Sequence, residues 1–282
     1  MNTLSTAAAW PSKLPIRELM DFGWWPHFLR DAQRPYLARV FDRYGISEQV
    51  LELLAKRDVL RAGSELRVLD LCSGQTAGIW PAVLDQAAKA YPDTRITVVS
   101  TDLFPAPDAS DIVLPNGSRV VFDPEPCQPE EAVARHRADL VTCINGFHHI
   151  ETARRSTLLA AVAQAGTDLL VVETLEPTFE CAFSVKGAPV AAIVFAATNL
   201  RRLTPAQALF SLLIPVMPAS IFIDTMISGY RTHRPEQMKL TLGGHLPAHA
   251  VETVSRRDQP IRFYATLARR SGPRDHRHSV KR

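Results

Sequence analysis

Two acidic residues stand near the ends of two apolar runs, at a spacing that suits a nucleotide-like cofactor. The run Leu66–Leu71 overlaps the segment Asp70-Leu-Cys-Ser-Gly74, whose small residues let the backbone approach a ligand closely. Asp102 follows the run Ile96–Ser100, about one strand–helix–strand unit after Asp70. A carboxylate at such a strand end accepts hydrogen bonds from both ribose hydroxyls. A turn or helix-capping role is the alternative for Asp102.

Adjacent histidines follow another apolar run, in the segment Asn145-Gly-Phe-His-His149. Imidazole titrates near neutrality, so one histidine is a candidate general base, with His149 preferred over His148. Packing beside the cofactor loop is the alternative role. Glu173 ends a further apolar run, where it either orients a substrate amine or hydroxyl or is a solvated charge. Since successive residues leaving a strand point to opposite sides, we expect one histidine to face the cleft and the other to pack beneath it.

A metal site is not expected at these histidines. A metal needs three or four converging ligands, and neither an H-E-x-x-H motif nor a Cys/His spacing accompanies the pair. The four cysteines, Cys72, Cys127, Cys143 and Cys181, are widely spaced and include no C-x-x-C pair. This pattern indicates free thiols in a reducing compartment.

The elements that must position these residues are strands alternating with helices, which predicts a mainly parallel sheet covered on both faces. The predicted strands of this part are Leu66–Leu71, Ile96–Ser100, Arg119–Phe122, Asp139–Ile144 and Asp168–Glu173. The predicted helices are Pro35–Tyr44, Ser47–Leu60, Ile79–Tyr91 and Arg154–Gln164. Near the end of the chain, Ala250–Val254 and Ile261–Leu267 lie close enough together to form an antiparallel hairpin.

The predicted organisation is one catalytic domain with additions. Residues 1–64 form an N-terminal helical cap, residues 65–270 the catalytic domain, and residues 271–282 a disordered basic tail. Residues 174–249 are expected to be a helical insertion or lid, because a structureless loop of that length is implausible. Its apolar run Leu209–Ile223 is shorter than the about 20 residues that a membrane span needs, and prolines interrupt it. We therefore expect no span, with peripheral membrane contact as the alternative.

The composition fits a soluble globular protein. The chain has 282 residues, of which 46% are hydrophobic and 22% charged, with a formal net charge of +3. The excess of positive charge lies in the tail, so nucleic acid is not expected as a partner. The N-terminus has no apolar stretch long enough for a signal peptide, which favours the cytoplasm. The sequence leaves the oligomeric state open.

Taken in order, the segments LDLCSG, STDLFP, FHHI followed by ARR, and VVET resemble the class I S-adenosylmethionine-dependent methyltransferase superfamily. Within it, the chain resembles a bacterial group with D-L-x-S-G, T-D-x-x-P and F-H-H motifs. That group also carries an aromatic-Pro-x3-Arg segment, here ending at Arg30, a segment like Ile214–Pro218, and a late motif like Asp224–Thr232. The resemblance runs from about Trp24 to Leu267.

The resemblance implies a Rossmann-like, seven-stranded α/β sheet, mostly parallel with a C-terminal antiparallel hairpin, that binds S-adenosylmethionine. The implied cofactor-binding residues are Asp70, Cys72, Ser73, Gly74, Asp102, Leu103, Asn145 and, at the adenine, Asp123. Arg231 of the late motif joins His148, His149 and Glu173 as a catalytic candidate, because it could anchor an anionic group of the substrate.

The expected reaction is methyl transfer to a small, rather apolar metabolite, as in secondary metabolism, since aromatic and apolar segments are expected to cover the cleft. One alternative is a catalytically silent partner subunit with the same fold, which the small number of glycines in the loop favours. Another is a nicotinamide-dependent oxidoreductase. The absence of a G-x-G-x-x-G motif and the terminal hairpin argue against it.

Overall fold

The computed structural model describes residues 15–56, 60, 63–73, 78–105, 109–175, 186–256 and 263–271. Within these residues, eight strands form one mixed sheet in the order β3-β4-β2-β1-β5-β6-β8-β7. The strands are β1 Glu65–Leu71, β2 Arg95–Ser100, β3 Ile112–Val113, β4 Arg119–Phe122, β5 Leu140–Ile144, β6 Asp168–Glu173, β7 His249–Arg256 and β8 Phe263–Arg270. The α-helices are α1 His27–Arg43, α2 Ile46–Lys56, α3 Trp80–Ala90, α4 Pro129–Arg135, α5 Thr152–Ala165, α6 Ala188–Thr198, α7 Pro205–Ala208, α8 Val216–Arg231 and α9 Pro235–His245.

The fold is the expected Rossmann-like α/β class. Strands β4, β2, β1, β5 and β6 are parallel, while β8 runs antiparallel to both β6 and β7. The seven expected strands are all present, and the predicted terminal hairpin is confirmed. The eighth is β3, a two-residue edge strand antiparallel to β4. It is too short to show a hydrophobic period in the sequence.

Both faces of the sheet are buried, which explains the continuous apolar character of its strands. Alternate residues point to opposite faces, so Val68 packs with α2 and α3 on one side, while Leu69 and Leu71 pack with α4, α5 and α9 on the other. This packing fixes the carboxyl ends of β1 and β5 side by side.

The helices differ from the sequence prediction at the N-terminal side. Helix α1 begins at His27 and passes through Pro35, so the predicted start at Pro35 is wrong. Pro35 is exposed, and water can solvate the carbonyl that loses its hydrogen bond to the proline nitrogen. Helix α2 begins at Ile46, one residue before the predicted Ser47, and follows Gly45, whose φ is 60°.

The elements outside the sheet pack in more than one hydrophobic cluster. Helix α1 and the preceding Trp25 pack against α6 and α8. The contacts include Leu29 of α1, Ala192 of α6 and Ile221 of α8. These elements of the N-terminal segment and the insertion therefore share one hydrophobic cluster. Helix α2 belongs instead to the sheet packing, as does α9 at the end of the insertion.

No single helix in the described part of the chain is both long and apolar enough to cross a membrane. Residues 205–213 and 216–231 reach the required length and hydropathy only as a pair, and the pair bends by 70°. The bend falls where the π-helical turn Leu209–Leu213 meets Pro215. The predicted basic tail and Cys181 lie outside the described residues, apart from Ser271.

Candidate active site

A cavity of about 430 Å³ lies at the carboxyl ends of β1, β2 and β5. Helices α1 and α8 and the segment before α1 form its other walls. Strands β1 and β5 are neighbours in the sheet although β2 and β4 lie between them in sequence, so the strand order reverses there. Ligands of open α/β sheets bind at such a reversal.

The ends of β1 and β5 hold two non-glycine residues in left-handed conformations. Cys72 has φ 52° and Asn145 has φ 50°, and both line the cavity. Asn145 Oδ1 accepts a hydrogen bond from Thr174 Oγ1, which fixes the amide. Such backbone conformations are costly and concentrate at functional sites. Gly146 touches this loop so closely that an added Cβ would lie 2.8 Å from Cys72 Cβ.

The loop after β1 is also fastened to the end of β2. The Ser73 backbone N–H donates to the Thr101 carbonyl at 3.1 Å, and Thr101 in turn donates to the Asp70 carbonyl at 2.9 Å. Ser73, Asp102 and Leu103 line the cavity with Cys72 and Asn145. These five expected cofactor-binding residues therefore come together on one wall, while Gly74 lies outside the described residues.

Asp102 makes a turn contact and also faces the cavity. Its Oδ1 accepts a hydrogen bond from the Phe104 backbone N–H at 2.8 Å, which is the turn role. The residue lines the cavity at the same time. Arg30 of α1 lies opposite, with its guanidinium over the Phe104 ring at 4.7 Å.

Arg30 belongs to the aromatic-Pro-x3-Arg segment, but its position in the site was not foreseen. It is 4% exposed, lines the cavity, and donates through Nη2 to the Met20 and Phe22 carbonyls. Its Nε and Nη1 are buried without a hydrogen-bond partner among the described residues. Unpaired buried donors of this kind are costly unless a ligand meets them.

Two of the expected cofactor residues stand away from the cavity wall. Asp70 is 1% exposed and accepts a hydrogen bond from Thr142 Oγ1 at 2.6 Å, beneath the loop. Burial raises the pKa of Asp70 to about 7, against the opposing effect of the Thr142 hydrogen bond. Asp123, the adenine candidate, turns toward the end of α4 and contacts His136 at 2.8 Å and Arg135 at 3.3 Å.

The two histidines lie on a one-turn 3₁₀ helix, Phe147–His149, rather than on extended chain. Their rings are therefore adjacent, with centroids 4.3 Å apart, so the expected reason for their difference, an extended chain with alternating side chains, does not apply. Their exposure still differs. The His149 side chain is 21% exposed and lines the cavity, while that of His148 is 1% exposed behind it.

Each histidine is held by its own carboxylate at Nδ1. His148 Nδ1 lies 2.6 Å from Glu173 Oε2, and the His148 backbone N–H donates to Glu173 Oε1 at 3.0 Å. His149 Nδ1 lies 2.6 Å from Asp21 Oδ1. Arg231 completes the second pair, donating to Asp21 Oδ2 and to the His149 carbonyl at 2.8 Å each. Glu173 and Arg231 thus stand behind the histidines as positioning residues and not on the cavity wall.

Sequence reasoning missed the acids that join this group from the N-terminal segment and α8. Glu18 is buried between the histidine rings and Ser228, whose Oγ donates to Glu18 Oε1 at 2.7 Å. Asp224 lines the cavity and accepts a hydrogen bond from the Leu19 backbone N–H at 2.6 Å. The late motif contains Asp224 and Ser228, but residues 15–21 gave no periodic signal that could have marked Glu18 or Asp21.

Attraction between opposite charges sets the protonation of this histidine–acid cluster. Its members are Glu18, Asp21, His148, His149, Glu173, Asp224 and Arg231. Burial alone would lower the pKa of His148, but Glu173 and Glu18 outweigh it and raise that pKa to about 10. Burial likewise opposes charge on His149, whose pKa is nevertheless raised by Glu18 and Asp21. Burial would raise the pKa of Asp21, but His149 and Arg231 hold it below its usual value. The cluster is therefore a set of paired charges beside an apolar cavity.

No protein-family model matches the chain, and no curated protein matches it. Solved structures with a similar fold include a candidate O-methyltransferase from Nostoc punctiforme PCC 73102, at 13% identity over 87% of this chain and 60% of that one, with a TM-score of 0.43. An O-methyltransferase family protein from Burkholderia thailandensis is 17% identical over 86% and 60%, with a TM-score of 0.44. The CMeT domain of the citrinin polyketide synthase is 13% identical over 79% and 51%, with a TM-score of 0.45.

The chain thus spans about 60% of the first two neighbours and about half of the third. Similarity at this level concerns fold class alone. The chemistry of the site must come from its own residues.

Proposed function

We propose that the protein transfers a methyl group from S-adenosylmethionine to a small, rather apolar metabolite, as in secondary metabolism. The observation that supports this most is the cavity itself. Its wall contains both the β1 loop with Asp102 and part of the histidine–acid cluster. A donor and an acceptor could therefore lie in one cavity.

The residues expected to bind the cofactor fit the group they would hold. Asp102 would offer a carboxylate to the ribose hydroxyls, and Cys72 and Ser73 line the cavity with it. Arg30 adds two buried nitrogens, Nε and Nη1, that lack a protein partner among the described residues. These groups match an oxygen-rich, partly charged ligand, since charge-assisted hydrogen bonds are the strong ones.

Much of the remaining cavity wall is apolar and could face the acceptor. Leu37 and Phe41 of α1, Ile144 of β5 and Ile221 of α8 line the cavity. The polar groups of the cluster that line the cavity are Glu18, Asp21, His149 and Asp224. Small-molecule pockets have this composition, with apolar walls and a few placed polar anchors.

When bound, S-adenosylmethionine supplies an electrophilic methyl group. The chain must then align the acceptor with that methyl and keep water out. Helices α1 and α8 form walls of the cavity and would help to exclude water. His149 lines the cavity and would act as the general base if the acceptor must lose a proton. His148, Glu173 and Arg231 keep His149 and its loop in place.

Calorimetry with S-adenosylhomocysteine tests the cofactor half of the proposal. We expect saturable binding by the full chain, and Asp102→Ala should weaken it by about 1–3 kcal/mol through loss of a charge-assisted hydrogen bond. Asp85→Ala is the matched control, because this exposed residue of α3 forms a surface ion pair with Lys89 and does not line the cavity. Absence of binding by the wild-type chain would refute the proposal.

A labelled methyl donor screened against pooled small metabolites tests the acceptor half. Turnover should fall by about 10²–10⁴ in His149→Ala while binding of S-adenosylhomocysteine is retained. Cofactor binding without turnover of any pool would instead favour the silent partner subunit.

A further inference from the structure

Three side chains from distant parts of the chain converge at the inner wall of the cavity. Glu18 precedes α1, and His148 and His149 follow β5. Each offers one ligand atom, and these three atoms lie within 4.8 Å of one another. The sequence prediction of no metal depended on the lack of a third ligand, and Glu18 supplies it across 130 residues of chain.

From this geometry we propose that Glu18, His148 and His149 form a binding site for a divalent transition-metal ion of the zinc type. Nitrogen and carboxylate ligands of this kind suit zinc and its neighbours in the periodic table. With metal–ligand bonds of about 2.0–2.2 Å, tetrahedral ligands stand about 3.4 Å apart. His148 Nε2 is 3.3 Å from Glu18 Oε1, and His149 Nε2 is 3.6 Å from the other carboxylate oxygen, Oε2. The three side chains would therefore move slightly closer together to bind one ion, from the 4.8 Å within which their ligand atoms now lie.

Every proposed ligand is oriented by a further residue. Glu173 holds His148 at Nδ1 and Asp21 holds His149 at Nδ1, which directs both Nε2 atoms toward Glu18. Ser228 donates to Glu18 Oε1 and fixes that carboxylate. Metal-binding histidines almost always have such a partner on the other ring nitrogen, and it is often a carboxylate.

His148 Nε2 faces Glu18 without a well-aligned hydrogen bond. It lies 3.3 Å from Glu18 Oε1 as an ion pair, but the contact lacks good hydrogen-bond geometry within the described residues. A metal ion bound here would replace the proton of this pair, since histidine binds metals in its deprotonated, neutral form.

The position of the site indicates what the ion would do. His149 lines the cavity, so three protein ligands would leave a coordination position open toward it, as in catalytic zinc sites. That position would take a hydroxyl or carbonyl oxygen of the acceptor. This role rests on the proposed methyl transfer, whereas the binding of the ion does not.

Metal titration of the full chain after treatment with a chelator tests the site directly. We expect one equivalent of Zn²⁺ by calorimetry, and Co²⁺ should give visible absorption bands typical of histidine ligation in a low-coordinate site. Glu18→Gln should weaken Zn²⁺ binding by more than about 100-fold, and Asp21→Asn by about 10–100-fold through the orienting carboxylate. His136→Ala is the control, since His136 also contacts a carboxylate, that of Asp123, but lies outside the cluster.

Thermal melting checks that each variant folds, and His149→Gln replaces Glu18→Gln if the latter does not. The proposal is overturned if the wild-type chain binds less than one equivalent of Zn²⁺ and of Co²⁺. It is also overturned if the folded ligand variant that is measured binds Zn²⁺ as tightly as the wild-type chain. Binding of S-adenosylhomocysteine to the metal-free chain is measured in parallel. Cofactor binding without metal binding would refute the metal site alone, and metal binding without cofactor binding would refute the methyl-transfer proposal alone.

Discussion

Asp70 gives the stability of this protein a dependence on pH that can be isolated by one substitution. The carboxyl lies beneath the β1 loop, and its burial raises the pKa from 3.8 to about 7. An acid whose pKa is raised by folding binds more protons in the folded chain than in the unfolded one between these two values. Its contribution to stability is therefore most favourable below about pH 4 and is lost as the pH rises to about 7.

The size of the effect follows from the shift. Three pKa units at 1.36 kcal/mol each give about 4 kcal/mol over the whole range. By the linkage relation, about 2–3 kcal/mol of this contribution to the free energy of unfolding is lost between pH 5 and pH 8. Asp70→Asn keeps an oxygen that accepts the Thr142 hydrogen bond but cannot ionise. The free energy of unfolding of the variant, relative to wild type, should therefore rise by about 2–3 kcal/mol from pH 5 to pH 8.

Urea unfolding at several pH values between 5 and 8 measures this difference. Asp139→Asn is the matched control, because the exposed Asp139 also accepts one hydrogen bond, from the Arg67 backbone N–H. Its free energy of unfolding relative to wild type should not change between pH 5 and pH 8. A flat difference for Asp70→Asn, or a fall with rising pH, would show that the buried carboxyl does not titrate as the structure indicates.

Two further substitutions test the packing that supports the site. Gly146→Ala places a Cβ 2.8 Å from Cys72 Cβ, so it should destabilise the chain by about 1–3 kcal/mol and weaken S-adenosylhomocysteine binding. Gly229→Ala, which meets nothing within 4 Å, is its control in thermal melts and calorimetry. Arg231→Met leaves the carboxylate of Asp21 without its guanidinium, and urea unfolding should show a loss of about 3 kcal/mol. A loss below about 1 kcal/mol would mean that His149 alone suffices to balance that charge.

The sequence by itself determined the sheet and one wall of the cavity. Runs of apolar residues such as Leu66–Leu71 and Asp168–Glu173 are local signals, and the parallel sheet follows from them because it buries both of its faces. Since parallel strands end at one edge, residues just past those ends, such as Ser73, Asp102 and Asn145, had to meet there.

The sequence did not show which acidic residue near a strand end faces the cavity. Asp70 and Asp102 resemble each other in sequence, yet Asp70 lies inside β1 and points beneath the loop, while Asp102 lies two residues past β2 and reaches the cavity. One or two residues decide this difference, and strand ends are the least certain part of a sequence prediction.

Only the tertiary structure joined the histidines to their acids. Glu18 and Asp21 lie in a segment without hydrophobic period, and their positions follow from the packing of α1 against α6 and α8. That packing depends on contacts between residues almost 200 positions apart, such as the hydrogen bond from Gln33 to Ser220. Local patterns cannot carry this information, because the energy of such a contact depends on which surfaces the whole chain brings together.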